Sequence, residues 1–114
     1  MNLLLCMSRL EARLVSGTGN VPDVSFSHVV VSDLMSDVLV VEEDDYLLLT
    51  SLSGEQVIRT ADITGARAVL LCNGKTPPAG MIRLADEHGI PLLCTPLRTF
   101  ELCRRIVHCQ DARE

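Results

Sequence analysis

In the second half of the chain, short apolar runs give way to small polar residues and then to helical patterns, three times in succession. Tyr46-Leu-Leu-Leu-Thr50 leads into Ser51-Leu-Ser-Gly-Glu-Gln56, and Arg67-Ala-Val-Leu-Leu-Cys72 leads into Asn73-Gly-Lys-Thr-Pro-Pro78. Ile90-Pro-Leu-Leu-Cys94 then leads into Thr95-Pro-Leu-Arg-Thr99. Strands that alternate with helices build a parallel sheet covered by helices. The expected fold class is therefore α/β: one domain with a mostly parallel β-sheet flanked by helices, assembled from repeated strand–loop–helix units. Loops at the carboxyl ends of such strands form the usual ligand crevice, so the polar loops are the first place to look for function.

The helices of these units carry their own signals. Ser53 followed three residues later by Gln56 spells a capping box, with Val57, Ile58, Ala61 and Ile63 continuing the helix and Gly65 as its left-handed stop. Pro77-Pro78 opens the next helix, Met81, Ile82, Leu84 and Ala85 point inward, and His88-Gly89 closes it. Thr99 or Arg98 starts the last helix, whose apolar set is Phe100, Leu102, Cys103, Ile106 and Val107.

The first half is less regular. Leu3, Leu4, Met7 and Leu10 recur at helical spacing and predict a short amphipathic helix over 2–11. Arg13-Leu-Val15 reads as a short strand, and Gly17, Gly19, Asn20 and Pro22 mark a loop or hairpin-like excursion. Ser25-Phe-Ser-His-Val-Val-Val31 alternates and is rich in β-branched residues, hence a strand. Leu34, Met35, Val38 and Leu39 predict a short helix capped by Ser32 or Asp33, and Glu42-Glu-Asp-Asp45 is a solvated turn. The expected domain is 1–114: an N-terminal helix, short strand and loop over 1–24, a core over 25–109, and a frayed tail over 110–114.

Composition narrows the class. The 114 residues are 47 % apolar, yet include no Trp, one Tyr and two Phe, so a single aliphatic core is expected. No apolar run approaches the roughly 20 residues needed to cross a bilayer. Met1-Asn-Leu-Leu-Leu-Cys-Met7 lacks the basic start and the length of a signal peptide, which makes a cytoplasmic location the expectation. A net charge of −5 with a single lysine argues against a general nucleic-acid binder, which needs concentrated Lys and Arg to neutralise phosphates. Cys6, Cys72, Cys94, Cys103 and Cys109 show neither a C-x-x-C pair nor zinc spacing and read as reduced, mostly buried thiols.

Chemistry at the strand ends has two readings. Ser51, Ser53, Gly54 and Gln56 lie before and within a helix N-terminus, where unpaired N–H groups and the positive dipole end attract anions. Asn73, Gly74 and Lys75 add a tight turn and a cation, and Thr95 and Thr99 add hydroxyls. Together these nine residues form a candidate pocket for a phosphate-bearing or nucleotide ligand. The competing account makes Ser53 and Thr99 helix caps, Asn73-Gly74 a turn, and Lys75 an ordinary surface lysine. Glu55 adds a negative charge to the first turn and weakens the anion reading.

Motifs for catalysis are lacking. There is no Walker A loop, Gly17-Thr-Gly19-Asn-Val-Pro22 holds only the first two glycines of a dinucleotide fingerprint, and His28, His88 and His108 fall on different elements. Cys103 and His108 are five residues apart on a helix and do not share a face. Asp33 and Asp37, four apart, would share a helical face as a cation pair or as caps and solvated charges. No catalytic residue, metal or cofactor is implied.

Several segments carry a family likeness: Val31-Ser-Asp-Leu-Met-Ser-Asp-Val38, Asp45-Tyr-Leu-Leu-Leu-Thr50, Asn73-Gly-Lys-Thr-Pro-Pro78, Ala85 through His88-Gly-Ile-Pro91, and Thr95-Pro-Leu-Arg-Thr-Phe100. In order and spacing, Val29 to Val107 resembles the DRTGG domain, which is related to the N-terminal domain of HPr kinase/phosphorylase. The resemblance implies a mostly parallel α/β domain without catalytic activity of its own. Such domains occur beside CBS domains in inorganic pyrophosphatases, next to phosphotransacetylase domains, and as stand-alone proteins, some of which accompany iron-only hydrogenase genes. Dimer contacts recur among them. The Asp-Arg-Thr-Gly-Gly signature falls where this chain has Ser51-Leu-Ser-Gly-Glu55, so Ser53 and Gly54 match and the Asp-Arg pair is gone.

The expected function is a non-catalytic regulatory or interaction module, homodimeric and acting on itself or on a metabolic enzyme. The alternative is a sensor of an adenine nucleotide or phosphorylated metabolite through the strand-end loops. Redox sensing through Cys103 and Cys109 is a third, weaker reading.

Overall fold

Tyr46–Thr50 is buried along its whole length, as an interior strand of a sheet covered on both faces must be. The computed structural model describes residues 1–16 and 23–111. In chain order the elements are α1 (Leu3–Cys6), β1 (Arg13–Leu14), β2 (His28–Val31), α2 (Met35–Val38), β3 (Tyr46–Thr50) and α3 (Glu55–Thr64). They continue with β4 (Ala68–Leu71), α4 (Ala79–His88), β5 (Leu92–Cys94) and α5 (Thr99–Asp111). The five strands form one sheet in the order β1-β5-β4-β3-β2. β2 through β5 are parallel, and β1 lies antiparallel to β5, with Arg13 opposite Cys94.

The strand order explains how the two faces are covered. From β2 to β5 each strand is laid down on the same side of the last, and parallel crossovers are right-handed. All three intervening helices must therefore fall on one face. Tyr46, Leu48, Val69 and Leu92 pack there with Val38 of α2, Val57, Ile58 and Ala61 of α3, and Met81 and Ala85 of α4. The opposite face is left to the ends of the chain. Leu47, Leu49, Ala68, Leu70, Cys72 and Leu93 pack there with Leu3 and Cys6 of α1, with Leu10 and Phe26, and with Leu102, Ile106 and Cys109 of α5.

Several sequence expectations need adjustment. The helix expected over 2–11 is confined to Leu3–Cys6, because the chain must turn to enter β1 and does so at Glu11, whose φ is 50°. The strand expected from Ser25 begins at His28, although Ser25 forms an isolated bridge with Asn2. Asp33 does not cap α2. The Leu34 N–H donates to Ser32 Oγ at 3.0 Å, while Asp33 faces β3. Asp33 also precedes α2 instead of sharing a helical face with Asp37.

The Ser53–Gln56 capping box is not formed. The N-cap of α3 is Gly54, and no side chain caps it. Gly65 and Gly89 do end α3 and α4 in the left-handed conformation. In α5, Leu102 and Ile106 are buried as expected, but Phe100 is 81 % exposed and Val107 53 % exposed, so they are not core. The Gly17–Pro22 excursion and the last residues of the tail, 112–114, lie outside the described residues; Gln110 and Asp111 are still within α5.

Candidate functional site

At the carboxyl end of the sheet, Asp33 ties two strand ends together. Asp33 Oδ1 accepts from the Thr50 hydroxyl at 3.0 Å and from the Ser51 N–H at 2.7 Å, and Oδ2 accepts from the Ser51 hydroxyl at 2.6 Å. The Ser51 hydroxyl, followed by its N–H, holds the Asp33 carboxyl below the usual carboxylate range, against the opposing effect of burial. This link joins the segment after β2 to the end of β3 and commits Ser51 internally.

Next along the edge, Ser53 is exposed, and Gly54 carries extended backbone at φ 172°. A Cβ on Gly54 would collide with Gln56 Oε1, so the Gln56 side chain is folded back over the start of α3. With Glu55 in the first turn, that helix end presents an amide oxygen and a carboxylate, a poor setting for an anion.

The loop after β4 is a tight turn through Asn73 and Gly74, both left-handed at φ 63° and 68°. Asn73 is a strut: its N–H donates to Leu97 O at 2.8 Å, its Oδ1 accepts from the Thr99 N–H, and its Nδ2 donates to Thr99 Oγ1. Asn73 thereby caps α5 from a neighbouring loop, which Thr99 does not do for itself. Thr95 is buried, donates its hydroxyl to Leu10 O at 2.7 Å, and accepts from the Leu97 N–H. Both threonines serve the scaffold.

Gly74, Lys75 and Thr95 line a cavity of about 270 Å³ together with Arg13, Thr76, Cys94 and Pro96. Of the nine residues singled out in the sequence, only these three meet there. Ser51, Ser53, Gly54 and Gln56 stand apart at the β3 end, and Asn73 and Thr99 form the strut. Arg13 and Thr76 were not anticipated. Arg13 reaches the cavity because β1 is antiparallel, which brings its first residue beside the carboxyl end of β5. The short strand was readable, but its direction was not.

A second feature lies on the outer side of α5. Phe100, Cys103, Arg104, Val107 and His108 line an open groove of about 330 Å³. Burial raises the pKa of the half-buried Cys103 thiol. Glu101, held by Arg104 and Arg105, has its carboxyl lowered to about 2.

The class this architecture defines is a parallel α/β domain with its loop cluster at the strand ends and an exposed apolar stripe on its last helix. The chain belongs to the DRTGG family: the DRTGG domain model matches residues 6–109. A crystal structure with the same fold is that of the CBS and DRTGG domains of the regulatory region of Clostridium perfringens pyrophosphatase, complexed with the activator diadenosine tetraphosphate. The two superpose with a TM-score of 0.71 at 18 % identity, over 92 % of this chain and 45 % of that one. This chain therefore spans under half the length of that structure. No curated protein matches it in sequence. Among the described residues, no helix is long and apolar enough to cross a membrane.

Proposed function

We propose that this chain is a non-catalytic regulatory module that works as a homodimer and acts on a metabolic enzyme. The observation that carries the proposal is the outer stripe of α5. Phe100 and Val107 are exposed while Leu102 and Ile106, on the same helix, are buried in the core. Phe100, Cys103 and Val107 follow the i, i+3, i+7 spacing of a helix–helix seam. A two-fold axis across such a seam sets Phe100 of one copy against Val107 of the other, the self-complementary arrangement that cyclic dimers use. One helix pair buries less than the about 1,200–2,000 Å² of a stable interface. Leu4, 53 % exposed, is a further exposed apolar side chain on α1, the other helix that covers this side of the sheet. A cytoplasmic, reducing setting suits five thiols of which none is in a disulfide.

The test is oligomeric mass by light scattering across a concentration series, for wild type and Phe100→Glu. A two-chain mass that falls to one chain in the variant supports the reading, and a wild-type monomer throughout contradicts it.

A second reading, nucleotide or phosphometabolite sensing, is favoured by the cationic cavity beside Lys75. The activator in the Clostridium perfringens structure is a dinucleoside polyphosphate, which is the chemistry such a cavity suits. Ligand-induced stabilisation tests it, since binding to the native state alone at 100-fold saturation adds about 2.7 kcal/mol.

A further inference from the structure

Loops that leave adjacent parallel strands toward opposite faces of a sheet hold a crevice open between them. β4 and β5 are such a pair. The loop after β4 leads to α4 on one face, and the loop after β5 leads to α5 on the other. The β2–β3 and β3–β4 pairs lack this divergence, because α2, α3 and α4 share a face. The 270 Å³ cavity sits at the divergence, between Gly74-Lys75-Thr76 and Cys94-Thr95-Pro96.

Two cations reach it from different elements, Lys75 from the β4 loop and Arg13 from β1. Arg59, Arg67, Arg104 and Arg105 are each paired with a carboxylate. The side-chain cations of Lys75 and Arg13 have no ion-pair or hydrogen-bond partner among the described residues. The Lys75 charge lowers the Asp33 pKa, as the smallest of the effects on that carboxyl, but forms no ion pair with it, and Asp33 already accepts three hydrogen bonds from Thr50 and Ser51. An unpaired exposed cation is commonplace. Two that share one crevice concentrate positive potential locally in a chain whose net charge is −5. Gly74 and Thr95 cannot contribute much, since the Gly74 N–H donates to Thr95 O and the Thr95 hydroxyl is committed. The exposed Thr76 hydroxyl is a further donor on the wall.

We infer that this crevice binds a phosphoryl or pyrophosphoryl group of a small molecule, with Lys75 and Arg13 on its charge and the Thr76 hydroxyl donating to an oxygen. The inference rests on the sensing reading above and names its recognition element. Arg offers a planar fork and Lys a point charge, a combination that suits a multiply charged oxyanion better than a single carboxylate. The volume lies just below the about 300–1,000 Å³ of pockets that bury a drug-sized ligand. The crevice therefore encloses the anionic head, and the remainder of the ligand lies outside it.

Titration calorimetry of the full chain with inorganic pyrophosphate, inorganic phosphate, ATP and diadenosine tetraphosphate tests this, with acetate as the singly charged control. The variants are Lys75→Gln, Arg13→Gln and Arg83→Gln, the last removing a charge from the exposed side of α4. The expected result is saturable, salt-sensitive pyrophosphate binding by wild type and Arg83→Gln, weakened tenfold or more by Lys75→Gln or Arg13→Gln. Equal binding by all variants, or by acetate and pyrophosphate alike, overturns the site. A nucleotide that binds undiminished in Lys75→Gln and Arg13→Gln leaves the sensing reading standing and refutes this location. No binding of any phosphate-bearing probe refutes both. Amide NMR of the wild type needs no variant: pyrophosphate must shift Gly74 and Thr76, and unshifted amides there also overturn the proposal.

Discussion

Replacing Asp33 with Ala removes the acceptor for three donors at once, the Thr50 hydroxyl, the Ser51 N–H and the Ser51 hydroxyl. A hydrogen bond to a charged group is worth about 1.5–3 kcal/mol when water is excluded. Asp33 is exposed, however, and the Ser51 groups can return to water, so the bonds must be discounted for solvent screening. Only Thr50, 1 % exposed, loses a partner inside the protein, and its oxygen still accepts from the Leu52 N–H. The net loss is then about 1–2 kcal/mol, or a fall in Tm of about 4–8 °C for a chain of this size.

The pH dependence follows from the lowered pKa. A carboxyl held below its unfolded value of 3.8 stabilises the fold above that value and ceases to do so as pH falls through the folded value. The difference in stability between wild type and Asp33→Asn, followed by thermal unfolding from pH 7 downward, should stay level to about pH 4 and then shrink. A Tm for Asp33→Ala within about 1 °C of wild type, or a wild-type advantage that grows in acid, would show that the Asp33 carboxylate does not stabilise these strand ends.

Ser53→Ala should cost less than about 0.5 kcal/mol, against the about 1 kcal/mol of a working N-cap, and chemical denaturation distinguishes the two. Gly89→Ala should cost about 1 kcal/mol by the same measurement, since its φ of 66° disfavours a side chain although no atom crowds the site. A thiol reagent should label the native chain slowly and only at Cys103, the other four cysteines being buried. Rapid labelling of two or more thiols in mass spectrometry would contradict that burial.

The strands from Tyr46 onward were legible because each is flanked by its own turn and helix signals, and Gly65 and Gly89 mark the helix ends that local chemistry requires. What was not legible depends on contacts distant in sequence. Asp33 precedes a short apolar run and reads as a cap, yet its partners are 17 and 18 residues away. Arg13 acquires meaning only from the antiparallel direction of β1. In α5, Leu102, Ile106 and Cys109 form one apolar stripe and Phe100, Cys103 and Val107 another, each at helical spacing. Periodicity cannot tell which stripe meets the sheet. Likewise Ser53 and Gln56 have the spacing of a capping box, but the chain enters α3 through Gly54, one residue later.

Self-association is tested most directly by the solution mass of the wild-type chain beside Phe100→Glu, by light scattering over a wide range of concentration. Phe100 is so exposed that a folded monomer loses little by its replacement. Wild type is expected at a two-chain mass and the variant as a folded 12.5 kDa species. A wild-type chain that stays at one-chain mass throughout, or a variant that dimerises as well as wild type, would contradict the proposal that the chain self-associates through the α5 stripe.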